Sequence, residues 1–202
     1  ILPLSLHDSH PIYSKKIIIG AMSAYKKLYL NGFKEINYLS NFYYKHLGKN
    51  KTNTGLISYK NNLDSFGEWF MQLWGESLGK IRDDGLEMGL TPSRYLGPKD
   101  QHSQLQLILD GPKDKTITFI SIKKSISGNK FLHRSALKEK NATLSALKEK
   151  KVPYIELEID FLDEKVLGEL FLIFELTTII LAKKMKINPF DQPAVELIKK
   201  NL

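Results

Sequence analysis

Glu68, Gln72 and Glu76 recur at four-residue spacing in the segment Ser65 to Lys80, SFGEWFMQLWGESLGK. On a helix that spacing sets the three along one edge of a face. Phe66, Trp69, Phe70, Leu73 and Trp74 form an apolar stripe beside that edge. At roughly 100° per residue, Glu76 lies only about 20° around the axis from Trp69. A carboxylate beside an indole is partly desolvated, which raises its pKa and suits it to act as a general base. The same spacing also fits a plain solvated helix edge. Ser65-Phe66-Gly67-Glu68 has the form of a capping box, so the helix is expected to start there.

Two further segments carry groups of the same kind. Asp100 to Gln106, DQHSQLQ, sets His102 among three glutamines and beside Leu105, Leu107 and Leu109. Histidine is the natural proton shuttle near neutrality, although a lone histidine on a helix also fits a structural or merely exposed place. Near the end, NPFDQPAVELIKK reads as a turn into a short helix. Asp191 is placed to cap it and Pro193 fits its first turn. Gln192 and Lys199, seven residues apart, share a face roughly 10 Å apart along the axis. A lysine at a helix C-terminus serves equally as a partner for the helix dipole.

The elements that must position these groups alternate along the chain. Helices are expected over residues 14–30, 37–47, 63–78, 99–109, 131–150, 163–185 and 191–201. Strands are expected over 55–59 (GLISY), 116–122 (TITFISI) and 152–159 (VPYIELEI). Such alternation argues for an α/β fold, a three-layer sandwich with a mostly parallel sheet. Ser135-Ala136-Leu137-Lys138-Glu139-Lys140 recurs at residues 145–150, and the repeat reads as a helix with a solvated Lys/Glu face.

Composition narrows the classes. The 202 residues are enough for one domain with a sizeable core. There is no cysteine, which excludes disulfides, thiolate nucleophiles and thiolate metal sites, and agrees with a cytoplasmic protein. The opening Ile1-Leu2-Pro3-Leu4 is too short for a secretory core. The most apolar run, Val166 to Ala182, contains Glu169 and Glu175, so a buried helix is expected rather than a membrane span. The net charge of +8 comes from lysines scattered over helical segments, not gathered with stacking aromatics. That pattern argues against a nucleic-acid partner and suits an anionic small substrate. Residue 1 is Ile rather than Met, so a piece of something longer is expected.

Three blocks together carry a resemblance: FGEWFMQLWGESLGK at 66–80, TPSRYLGPKDQHSQLQLILDG at 91–111 and NPFDQPAVELIK at 188–199. In this order and separation they resemble the C-terminal half of glucose-6-phosphate isomerases of the bacterial type. The resemblance covers the chain from Gly55 onward and extends weakly to the start. Ala194 departs from it, since the family mostly has glycine there. The resemblance implies the second sugar-isomerase-type domain of a longer enzyme, with a helical lead-in over 1–54, an α/β core over 55–160 and C-terminal helices over 161–202.

The resemblance also implies roles. Glu76 matches the base that moves a proton between sugar C2 and C1 through a cis-enediol, with Gln72 in the same site. His102 matches a residue that assists ring opening and reaches the site of a neighbouring subunit, which implies a homodimer with shared active sites. Lys199 matches the ring-opening lysine, and Gln192 a glutamine that contacts substrate. The implied partner is a sugar phosphate, with no metal, cofactor, nucleic acid or membrane. The family's phosphate cradle belongs to the first domain. The arginine of its Gly-Gly-Arg signature finds no match, because the chain has no Gly-Gly pair. A stand-alone sugar-phosphate-binding module is the other class that the residues admit, but it would have no use for a general base.

Overall fold

The computed structural model describes residues 11–124 and 130–200, with side chains over 14–124 and 130–196. Four strands form one sheet: β1 (Asn53–Ser58), β4 (Thr91–Leu96), β5 (Lys115–Ile122) and β6 (Tyr154–Ile159). The order is β4-β1-β5-β6, and every neighbouring pair runs parallel. A short antiparallel pair, β2 (Lys80–Ile81) and β3 (Glu87–Met88), lies apart from it.

Side-chain alternation along the strands builds a core on each face. Leu56, Ile120, Ile122 and Ile155 meet helices α2 (Lys34–Leu47), α3 (Asp64–Leu78) and α6 (Glu164–Met185). Ile57, Ile117 and Phe119 point the other way, to α4 (Gly97–Asp110) and α5 (Lys130–Glu149). The result is the expected three-layer sandwich, with a fully parallel main sheet. No helix among the described residues is long and apolar enough to cross a membrane. Val166 to Ala182 instead lies within α6, whose Leu170, Phe174 and Leu181 are buried against α3 and the sheet.

Strand β4 is not among the strands the sequence predicts, because Pro92 and half-exposed polar residues hide any strand pattern. It stands at the sheet edge, paired only with β1, where a residue lacking an N–H is tolerated. The helix starts needed correction twice. A 3₁₀ turn over Asn61–Leu63 leads straight into α3, so Leu63 takes the cap position and Ser65 is already inside the helix. Glu68 does not reach back to the start: it accepts from Arg94 Nη2 at 3.0 Å. Asp191 likewise does not cap α7 (Pro193–Lys200). The carbonyl of Gln192 accepts from Val195 N and Glu196 N, and the Asp191 carboxylate is engaged elsewhere. By contrast Asp163 caps α6 in the ordinary way, accepting from Val166 N at 2.8 Å.

The lysine repeat also splits. Lys150 sits at the surface, 2.7 Å from Asp110. Lys140 is buried against the sheet and donates to Glu156, which also accepts from Ser121 Oγ at 2.7 Å. Burial opposes ionisation of Glu156, but the two hydrogen bonds outweigh it and hold the carboxyl below its ordinary value.

Helix α1 (Pro11–Leu30) packs along α6 through two reciprocal glycines. A Cβ on Gly20 would lie 1.9 Å from Lys165 O, and one on Gly168 would lie 2.0 Å from Ile17 O. Backbone meets backbone at both points, so neither side chain can be added without parting the helices. Gly168→Ala is expected to cost about 2 kcal/mol, read as a lower denaturant midpoint at unchanged slope. An unchanged midpoint would mean that the contact is not tight in solution.

Candidate active site

The two glutamines named from the sequence converge on Glu76. Gln72 Nε2 donates to Glu76 Oε1 at 3.0 Å along α3, and Gln192 Nε2 donates to Glu76 Oε2 at 2.8 Å from the turn before α7. Each carboxylate oxygen thus accepts one amide hydrogen bond, which fixes its plane. Glu76 and Gln192 are half-buried and Gln72 is exposed. The three line a cleft of about 380 Å³. Trp69 and Leu73 line it from α3, Glu175, Thr178 and Ile179 from α6, and Pro189 and Phe190 from the turn before α7.

Local sequence explains why Gln192 arrives there. Residues 188–191, Asn-Pro-Phe-Asp, form a turn braced by its own side chains. Phe190 N donates to Asn188 Oδ1 at 3.0 Å, and Asn188 Nδ2 donates to Asp191 Oδ2 at 2.9 Å. Lys80 then ties this turn to the helix that carries Glu76. Its ammonium, 5% exposed, donates to Glu76 O at 2.8 Å and to Asp191 O, and stands 3.5 Å from Asp191 Oδ1. A cation at the last carbonyls of α3 also suits the helix dipole. Lys80 went unnoticed in the sequence. The signal is a lysine two residues past the helix end, but its nearest partners are two backbone carbonyls, which leave no trace in residue types.

Glu175 is the second residue that went unnoticed, because it counted only as a charge interrupting an apolar run. Its side chain is open to the cleft. Even so, the crowded walls displace enough water to push its carboxyl above the ordinary value.

His102 does not join this group. It is exposed on α4, and α4 covers the face of the sheet opposite to α3. The apolar row beside it also differs: Ile108 is the residue buried from this stretch, while Leu107 is exposed. Lys199 falls in α7, but its side chain lies outside the described residues. Among the described residues, no three His, Asp or Glu side chains gather as a metal-ligand set.

A half-buried carboxylate, oriented by two amides in a cleft lined in part by aromatic side chains, is suited to moving a proton on a small polar substrate. The sequence is similar to curated proteins of one kind. The chain is 36% identical to a probable glucose-6-phosphate isomerase of Methanococcus maripaludis, over 92% of this chain and 44% of that one. It is 35% identical to a glucose-6-phosphate isomerase of Campylobacter jejuni, over 94% of this chain and 50% of that one. The chain is a relative of the glucose-6-phosphate isomerases. It spans about half the length of the isomerases it matches. No protein-family model matches it. Among solved structures, a hypothetical protein of Thermus thermophilus superposes with a TM-score of 0.75 at 28% identity, over 91% of this chain and 48% of the other. A glucose-6-phosphate isomerase of Chlamydia trachomatis superposes with a TM-score of 0.65 at 23% identity, over 74% of this chain and 33% of the other, and so shares the fold.

Proposed function

We propose that this chain is the base-bearing C-terminal half of a longer aldose–ketose isomerase, which interconverts glucose 6-phosphate and fructose 6-phosphate through a cis-enediol. The observation that carries the reading is the Glu76 carboxylate, held by Gln72 and Gln192 in an open cleft. Starting from the aldose, Glu76 takes the proton from C2. The C2–H electron pair forms the C1=C2 bond, and the carbonyl oxygen at C1 takes up a proton. Glu76 then returns its proton to C1, and the C2 hydroxyl gives up its own proton as it becomes the ketone, which balances the proton taken up at the C1 oxygen. One base serves both carbons because the proton stays on one face of the enediol. Lys199 is assigned to ring opening, and Gln192 to substrate contact as well as to orienting the base. A coupled assay for glucose 6-phosphate formation from fructose 6-phosphate, run on the full-length protein, tests the reading; no turnover would sink it.

The place of His102 supports a shared site. A side chain on the α4 layer has the whole sheet between it and Glu76 of its own chain. A role in ring opening therefore calls for a second copy, and a symmetric dimer then builds two equivalent sites. Full-length His102→Ala and Glu76→Gln, each nearly inactive alone, should complement when their subunits exchange. A mixed dimer holds one site with both residues intact, so up to about a quarter of native activity should return in a statistical mixture. If mass spectrometry confirms exchange and no activity returns, His102 does not act across subunits.

A further inference from the structure

We propose that Glu175 binds the hydroxyl end of the sugar phosphate and thereby sets which way round the substrate lies in the cleft. This rests on the isomerase reading of the same site.

The polar groups of the α3 wall and the α7 turn are largely spent on one another, since Gln72 and Gln192 both donate to Glu76. On the α6 wall, Thr178 Oγ1 donates to Phe174 O at 2.7 Å, so its hydroxyl can only accept. Glu175, one helical turn earlier, makes no hydrogen bond or ion pair among the described residues. Its two oxygens form the one carboxylate lining the cleft that no side-chain amide claims among the described residues. Adjacent hydroxyls of a sugar are the matching donors, and a carboxylate can accept from two at once. Partial loss of water around Glu175 strengthens such bonds.

Charge sets the orientation. Glu76 and Glu175 both line the cleft, and no Lys, Arg or His does so among the described residues. A phosphate dianion placed against the α6 wall would meet two carboxylates and, among the described residues, no compensating cation. The phosphate therefore points away from Glu175, towards groups outside the described residues, and the hydroxyl-bearing carbons point inward to Glu76.

The test uses the full-length protein with Glu175→Ala and the nearly isosteric Glu175→Gln, which guards against a folding defect. Wild-type activity is measured first; a wild type that does not isomerise overturns the functional reading and this inference with it. With an active wild type, KM for fructose 6-phosphate should rise about tenfold in Glu175→Ala, with kcat within about twofold. Glu175→Gln, which keeps one acceptor, should fall between the two. Inhibition by glucitol 6-phosphate should weaken about tenfold while inhibition by inorganic phosphate stays unchanged, because only the polyol offers hydroxyls. A merely structural role would weaken both inhibitors alike. Unchanged KM in both variants, equal weakening of both inhibitors, or a fall in kcat at constant KM would each overturn the assignment.

Discussion

Glu76→Gln in the full-length protein is expected to lower kcat about a thousandfold while substrate affinity changes little. Glutamine keeps the length and shape of the side chain. It replaces one acceptor oxygen with an amide donor, so either Gln72 or Gln192 must turn its own amide to accept. Gln72 is exposed and Gln192 half-buried, so one of them has room to turn. The cleft therefore survives and the base is lost, which puts the deficit in the chemical step. Steady-state kinetics together with calorimetric binding of a sugar phosphate would separate the two effects. A large rise in KM with kcat near native would make Glu76 a binding group instead.

The 202-residue chain on its own is expected to turn over fructose 6-phosphate at less than about a thousandth of the full-length rate. The reason lies in the charges of the cleft. Two carboxylates line it and no cation does so among the described residues. A sugar phosphate carries a dianion, and the enediol step develops further negative charge. Positive groups must meet both, and the resemblance places a phosphate cradle and an arginine in the other half of the enzyme. Anchoring and electrostatic stabilisation are each worth orders of magnitude in rate. Near-native turnover by the purified chain would show that it carries its own phosphate site.

Much of this was legible in the residues. The stripe from Phe66 to Trp74 marks α3, and its buried members Phe66, Phe70 and Trp74 leave Glu76 at the cleft edge, as the helical spacing implies. Helix α6 was legible as buried for the same reason. The rest was hidden where backbone or topology decides. Lys80 binds the carbonyls of Glu76 and Asp191, and a carbonyl looks the same at every residue. Glu175 reads as an interruption of an apolar run until α6 is set opposite α3. The separation of His102 from Glu76 depends on which face of the sheet α4 covers, and local spacing carries no such information. Ser65 and Asp191 both match capping patterns. A preceding 3₁₀ turn displaces the first, and Lys80 engages the second.

Solvent deuterium uptake at sugar C2 reads proton abstraction itself, without requiring a complete turnover. Full-length wild type and Glu76→Gln are each incubated with glucose 6-phosphate in deuterium oxide, and the C2 signal is followed by NMR. Wild type should exchange the C2 proton, and exchange should vanish in Glu76→Gln while the sugar phosphate still binds. Persistent C2 exchange in Glu76→Gln would contradict it and move the base to the facing carboxylate, Glu175.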